Sequence, residues 1–428
     1  MIRLLIIADD FTGGLDTGVQ FASRGVPTCV ITDPQADFSR QAENCDVLVV
    51  VAETRHLPPQ QAYDEVYAVV RKGVELGIPH IYKKTDSALR GNIGAELTAA
   101  LDACGAQKLP FIPALPAMNR ITRGGVHYID GVPVSESVFG RDPFEPVRES
   151  DVVRLISLQS RAPVVRAALA DLPAARGITV TDAETEEDLL RAGRVLAESN
   201  SLRVFAGCAG FASVIPELLH LTGKTDRLLP RLNSGLFVLC GSVNPITQRQ
   251  LDHGEAGGFT RIHIPAETKL NPGWFSSEEG LAQLRRWQEM EAETPWMILD
   301  ANDIHPDNRE TAAAAEQMGF SMEEVRQRIS GSLGIILSSM LETPVDRTLL
   351  ITGGDTLLQG MSRLGVSQMI PLTEVFPGVV LSRVTLYGHD RYVITKSGGF
   401  GEETLLTDLK ELIEHNNRQE EKEDLKDA

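Results

Sequence analysis

The sequence predicts an α/β protein of two domains, each with a mostly parallel sheet flanked by helices. Three observations predict it. Short, near-continuous apolar runs alternate with amphipathic stretches, as strands buried on both faces and their crossover helices require. Polar loops follow several of these runs, at the strand-to-helix turns where such folds hold small anionic ligands. The chain's 428 residues exceed one typical domain, and a polar stretch near its middle offers a boundary.

Residues 2–31 begin with an apolar run, pass through a small-residue turn and an amphipathic stretch over 14–24, and end in a second apolar run over 26–31. That is a βαβ unit. Further strands are expected over 47–52, 80–83 and 110–113, with helices over 59–76 and 93–103 between them. Asp130-Gly131 between two β-prone runs predicts a hairpin over 126–135. It is also a candidate subunit contact, so a homo-oligomer is one expectation. Alternating helix and strand resume over 163–219, including Val204-Phe205-Ala206-Gly207.

The basic, proline-containing stretch 222–231 separates the domains, and Arg227 to Arg231 is the expected hinge. The expected domains are 1–229 and 230–415. In the second, strands are expected over 236–240, 261–264, 296–300 and 348–352, a helix over 322–341, and a hairpin turning at Gly388-His389-Asp390 before a strand over 392–396. From Asn416 onward the chain is expected to be a charged, frayed tail.

Apolar residues make up 42% and charged residues 23%, the composition of an ordinary globular protein. The formal charge of -18 opposes binding to a nucleic-acid backbone or an anionic membrane. It leaves anionic small molecules open, because Lys83 and Lys84 can focus positive potential inside a cleft. Five cysteines, scattered singly without metal-ligand spacing, fit buried thiols in a reducing cytoplasm. The first residues lead directly into a strand rather than a leader, so a cytoplasmic location is expected.

Two loops differ in character. Ala8-Asp9-Asp10-Phe11-Thr12-Gly13-Gly14 is acidic, whereas Thr352-Gly353-Gly354-Asp355-Thr356 is led by glycine. Unlike loops suggest unlike ligands, and two ligands suggest transfer. Asp9 and Asp10 cannot both enter the core unpaired, since each would cost several kcal/mol. One of them can cap the following helix, while Asp10 with Thr12 and Asp16 suits a hydroxyl-binding site. Arg55 follows the strand over 47–52 and offers a planar fork for a carboxylate; pairing with Glu53 at the surface is the plainer alternative. Lys83-Lys84-Thr85-Asp86-Ser87-Ala88-Leu89-Arg90-Gly91-Asn92 is the densest polar stretch after any strand. Its cations suit an anion and Asp86 suits hydroxyls, against the alternative of a solvated loop.

In the second domain, Cys240-Gly241-Ser242-Val243-Asn244, the loop over Gly353, Gly354, Asp355 and Thr356, and Lys396-Ser397-Gly398-Gly399-Phe400-Gly401 each separate a strand from a helix. Each alone could be a plain turn, but three together favour a nucleotide. No GxxxxGK[ST] loop, protein-kinase motif set or GxGxxG follows any strand, which disfavours a dehydrogenase. No HExxH or comparable ligand set marks a zinc site, and no residues are assigned to a metal.

Taken in order and spacing, the motifs at Ala8–Gly13, Lys84–Asn92, Thr352–Thr356 and Lys396–Gly401 resemble those of the four-carbon acid sugar kinase family over nearly the whole chain. Gly14 and Ala88 stand where many members carry alanine and threonine. The resemblance implies an N-terminal acid-sugar domain and a C-terminal ATP domain. It places sugar-acid binding on Asp10, Arg55, Lys83, Lys84, Thr85, Asp86 and Arg90, and nucleotide binding on Ser242, Gly353, Gly354, Asp355, Thr356 and Gly398. The implied reaction moves the ATP γ-phosphoryl to the terminal hydroxyl of a tetronate, with Mg²⁺ bridging the phosphates. D-threonate is the expected substrate; 3-oxo-tetronate, erythronate and L-threonate are alternatives. Asp355 is expected as base or magnesium partner, with Asp10 the rival base. A non-catalytic sensor of sugar acid and ATP is the alternative from another class.

Overall fold

The computed structural model describes every residue except 42, 143–144, 224–228, 231, 305–308, 343–346 and 428; the side chains of 418–427 also lie outside the description. The chain divides into two compact units, Met1–Asp226 and Arg227–Ala428. Much of the expected hinge, including Arg227 and Arg231, falls outside the described residues.

In the first unit the strands are β1 (Leu4–Ala8), β2 (Thr28–Ile31), β3 (Val47–Val51), β4 (His80–Lys84), β5 (Lys108–Ile112), β6 (Arg120–Arg123), β7 (Val126–Ile129), β8 (Val132–Pro133), β9 (Val164–Arg166), β10 (Gly177–Val180) and β11 (Val204–Gly207). The main sheet runs β2-β3-β1-β4-β11-β5-β10-β9, and its described pairings are all parallel. Every residue of β1 and β3 is buried, which is why these strands are apolar throughout rather than alternating. The helix Phe11–Ala22 leads from β1 toward β2, whereas Ile93–Ala103 leads from β4 toward β5 on the other side. Adjacent strands whose connections diverge open a crevice at their carboxyl ends. Here that crevice lies between β1 and β4.

β6, β7 and β8 form a separate antiparallel sheet. Its β7–β8 turn is the expected Asp130-Gly131, both with positive φ (50° and 79°), as a two-residue hairpin of right-handed strands demands. The sheet is tied to the main fold by paired backbone bonds between Leu115 and Arg120 and between Thr122 and Ala183.

In the second unit the strands are β12 (Leu236–Cys240), β13 (Thr260–His263), β14 (Trp296–Asp300), β15 (Thr348–Thr352), β16 (Gln368–Phe376), β17 (Val379–Leu386) and β18 (His389–Lys396). Their order is β13-β14-β12-β15-β18-β17-β16. β13 to β15 and β18 pair in parallel, while β16, β17 and β18 make an antiparallel meander. The order β13-β14-β12-β15 repeats the β2-β3-β1-β4 pattern of the first unit, so its divergence point lies between β12 and β15.

Three local expectations change. The last hairpin turns at Tyr387-Gly388 (φ 50° and 82°), and β18 starts at His389. β16 had no expected counterpart, because its pattern of buried and half-buried residues lacks clean alternation. The expected tail is helical: Leu405–Asp427 is one helix. Leu405, Leu406, Leu409 and Ile413 anchor it in the core, and Asn416 Oδ1 accepts from the Leu232 amide at 3.0 Å. Its Glu- and Lys-rich continuation is built of good helix formers. No helix among the described residues is long and apolar enough to cross a membrane.

Candidate active site

The β1–β4 crevice gathers charge from three strand ends. Asp10, directly after β1, caps the helix Phe11–Ala22: its Oδ1 accepts from the Gly13 amide at 3.1 Å, and its Oδ2 from the Thr12 hydroxyl at 2.9 Å. A Cβ on Gly13 would lie 2.4 Å from Asp10 Oδ1 and 2.7 Å from Lys84 Nζ, so only glycine lets that lysine reach the helix start.

Arg55, after β3, joins the carboxylates. Its Nε donates to Asp9 Oδ2 at 2.8 Å, and its NH2 lies 2.8 Å from both Asp9 Oδ2 and Asp10 Oδ1 and 3.5 Å from Asp86 Oδ1. The expected alternative, a surface pair with Glu53, is replaced by this buried cluster. Asn92 holds the arginine's loop by donating to the carbonyls of Thr54 at 2.9 Å and Leu57 at 2.7 Å. Glu53 (φ 49°) and Leu89 (φ 63°) carry left-handed backbone in the loops after β3 and β4. Such strain concentrates where a surrounding structure is built around a site.

Adjacent residues of a strand point to opposite faces, and β4 separates its two lysines in this way. Lys84 Nζ lies 3.9 Å from Asp9 Oδ1 and donates to the Thr85 carbonyl at 2.8 Å. Lys83 is fully buried, 2.8 Å from the equally buried Glu96. Lys83, expected to meet an anion, has the core carboxylate of Glu96 as its ion-pair partner. Thr85 is buried, with its amide donating to Gly207 at 2.9 Å. Asp86 accepts from Arg90 Nε at 2.9 Å and NH2 at 3.0 Å, and Arg90 NH1 reaches Asp142 at 3.4 Å.

Burial alone would push the carboxyls of Asp9 and Asp86 up, yet both lie below the ordinary range. Arg55, Lys84 and Lys83 hold Asp9 ionised; Arg90, Arg55 and Arg120 hold Asp86 far down. Ionised carboxylates beside cations accept the hydroxyls of a polyol and leave positive charge for an acid group. Asp9 Oδ1 is buried without a hydrogen-bond donor, so the open acceptor beside the cap belongs to Asp9 rather than Asp10.

Sequence reasoning missed the contribution of β6 and β7. Arg120 donates to the Ser87 hydroxyl, and His127 Nε2 lies 2.9 Å from the Ser87 carbonyl while its Nδ1 meets Thr122 Oγ1 at 3.0 Å. Burial lowers the His127 pKa to about 4, so the ring is neutral at pH 7 and its Nε2–H donates to Ser87. Only Ser87, within the quoted motif, hinted at this contact.

In the second unit, the loops after β12, β15 and β18 converge. Thr247 Oγ1 lies 3.3 Å from Ser242 Oγ and donates to the Gly398 carbonyl at 2.8 Å. Lys396 Nζ donates to Thr247 Oγ1 at 2.9 Å, and Gln250 Nε2 donates to the carbonyls of Phe400, Gly401 and Glu402 at 2.9–3.0 Å. A Cβ on Gly398 would sit 2.5 Å from Ser242 Oγ. Gly353 caps the helix Gly354–Arg363 with φ 102°, and Thr356, in its first turn, is buried against Gly241. Backbone amides at a helix start beside small residues suit phosphate groups. Asp355 lies in the same turn and is 36% exposed; both its oxygens accept from Arg326 NH1, at 3.0 and 2.9 Å. Arg326, missed from sequence, comes from the helix Met322–Leu341.

Comparison with known proteins now decides the family. Residues 4–215 match the sugar-binding N-terminal domain and residues 237–406 the nucleotide-binding C-terminal domain. A D-threonate kinase of Salmonella typhimurium is 32% identical over 96% of this chain and 99% of its own length. The chain belongs to the four-carbon acid sugar kinase family. A D-erythronate kinase of Heliobacterium modesticaldum is 27% identical over 94% of each chain. A 3-oxo-tetronate kinase of Pseudomonas fluorescens is 26% identical over 92% of this chain and 93% of its own. Crystal structures of a Salmonella typhimurium protein (TM-score 0.78, 22% identity, 95% of this chain and 98% of that one) and a Haemophilus influenzae protein (0.70, 21%, 96% and 100%) share the fold. For this sugar-acid kinase, the β1–β4 crevice lies in the sugar-binding domain and the three convergent loops in the nucleotide-binding domain.

Proposed function

We propose that the protein transfers the γ-phosphoryl group of ATP to the terminal hydroxyl of D-threonate, giving D-threonate 4-phosphate. The observation that carries this choice of acid is the 32% identity to a D-threonate kinase along essentially the full length of both chains. The two units supply complementary chemistry. In the first, ionised Asp9 and Asp86 accept hydroxyls amid Arg55, Lys84 and Arg90. In the second, Ser242, Gly353, Gly354, Thr356 and Gly398 present amides and hydroxyls for phosphates.

Phosphoryl transfer needs positioning and charge neutralisation more than covalent chemistry. Asp355 fits magnesium through its hard carboxylate oxygens and its partial exposure. When bound, the ion neutralises charge on the ATP phosphates. Asp355 is also our candidate base for the substrate hydroxyl; Arg326 fixes its rotamer for either role. Asp10 serves as helix cap and shares Arg55, a geometry that supports binding more than proton abstraction.

The test is a coupled ADP-release assay with Mg-ATP and D-threonate, L-threonate, D-erythronate or 3-oxo-tetronate, with a no-acid control. ADP formation dependent on D-threonate, at the highest kcat/KM of the four, is expected. Preference for another acid would replace the substrate. ATP binding without turnover on any of them would favour the sensor reading.

A further inference from the structure

One of the nucleotide loops is held by a polar network that no sequence motif announced. Asp300 closes β14 directly beside Cys240, the last residue of β12, and its side chain is fully buried. A buried carboxylate is costly unless both oxygens are met. Arg261 of β13 donates to Oδ2 through Nε at 3.0 Å and NH2 at 2.7 Å, while Oδ1 accepts from the Asn302 amide at 2.9 Å and from Asn302 Nδ2 at 2.8 Å. Such a pair adds little net stability over apolar packing. What it orients is Asn302.

Asn302 is itself buried. Because an ionised carboxylate only accepts, the amide nitrogen of the side chain, not its oxygen, faces Asp300. The same Nδ2 donates to the Ser242 carbonyl at 3.1 Å, and the Asn302 carbonyl accepts from His263 Nδ1 at 3.1 Å. Arg261 also reaches Asp252 at 2.6 Å, in the helix Pro245–Ala256 that follows the Ser242 loop. The contacts form a closed circuit, from that helix through Arg261, Asp300 and Asn302 back to Ser242. Across a trans peptide the carbonyl and the next N–H point in opposite directions, so a Ser242 carbonyl held on Asn302 turns the Val243 N–H away from it. β15, which leads into the Gly353 turn, flanks β12 on the side opposite β14.

We infer that Asn302 is a positioning residue for ATP: by holding the Ser242 carbonyl it aims the Val243 N–H at a nucleotide phosphate. This rests on the nucleotide half of the kinase reading above. Asp300 and Arg261 act behind Asn302, fixing which way its amide faces.

The experiment measures Mg-ATP binding by titration calorimetry without any acid, and the KM for ATP and for D-threonate, in wild type, Asn302→Ala and Asn302→Asp, with a thermal melt of each. Wild type must bind Mg-ATP; no binding overturns the nucleotide reading and this inference together. Binding without turnover on any of the four acids overturns the kinase reading alone, and the calorimetric arm then decides the inference. Asn302→Ala is expected to raise Kd and KM for ATP about tenfold, the scale for leaving a buried acceptor without its donor, with the acid KM and the kcat at saturating ATP within about twofold. Asn302→Asp keeps the shape, but one shared proton cannot serve both Asp300 and Ser242, so a rise of at least about tenfold is expected there too. An unchanged Kd in either folded variant, a fall in stoichiometry and Tm at constant Kd, or equal rises in the KM of ATP and acid would overturn the assignment while leaving the kinase reading intact. If Asn302→Ala fails to fold, Asn302→Asp decides alone by the same Kd.

Discussion

Replacing Arg55 by methionine removes a guanidinium shared by three carboxylates while keeping much of the stem. The side chains of Arg55, Asp9, Asp10 and Asp86 are 10%, 1%, 14% and 7% exposed, so the cluster is largely dry. Removing one partner of a buried ion pair costs about 3–5 kcal/mol. Arg90 still serves Asp86, and Lys84 still faces Asp9, so the lower end, about 3 kcal/mol, applies. For a domain of this size each kcal/mol moves Tm by about 2–4 °C, giving a fall of roughly 6–12 °C.

The pH dependence has a definite sign. In wild type the folded-state pKa values of Asp9 and Asp86 are depressed. Their stabilisation is present above the ordinary value of about 4 and lost as pH falls through the folded values. In Arg55→Met burial persists without the main cation beside Asp9 and without one of the cations beside Asp86, whose chief partner is Arg90, so these pKa values rise, most for Asp9. The penalty is then full above the raised values and shrinks as pH falls through them. The gap between wild type and variant should be widest near pH 7 and narrow toward pH 5. Far-UV ellipticity follows both units, whereas Trp274, Trp287 and Trp296 all lie in the second unit, so tryptophan emission gives an internal reference. An unchanged melt, or a gap that widens on acidification, would refute the reasoning.

Other predictions concern the second unit. Gly398→Ala places a methyl 2.5 Å from Ser242 Oγ and 2.9 Å from Asn244 Cβ; overpacking of about 1–3 kcal/mol should raise the KM for ATP roughly tenfold or more and leave that for the acid unchanged. Asp355→Asn should lower kcat by about 100-fold or more with little change in the acid KM, and near-normal turnover would remove Asp355 from the chemistry. Burial lowers the Lys396 pKa to about 8. The unfolded chain therefore binds the extra proton between about pH 8 and 10, and wild type gains up to about 3 kcal/mol of stability across that window. Lys396→Met should lack that gain, which denaturant titrations at pH 8 and 10 would show.

Local sequence determined the elements and which loops matter. Apolar runs broken by Asp9-Asp10, Lys84 to Asp86 and Gly353-Gly354 are legible because strand burial and loop chemistry depend on neighbours in the chain. The Asp130-Gly131 turn is legible for the same reason. Even the separation of Lys83 from Lys84 is written in strand alternation, although its consequence, a core pair with Glu96, needs the helix Ile93–Ala103 packed behind β4. Tertiary structure alone decided which charges meet. Arg55 abandons Glu53 for Asp9 because parallel register sets the ends of β1 and β3 side by side. Asp355 acquires Arg326 from 29 positions away. Arg120 and His127 reach Ser87 only because an antiparallel hairpin, inserted after β5, folds back over the β4 loop. Such pairings are set by strand order and crossover, which place residues in contact at separations that no local pattern encodes.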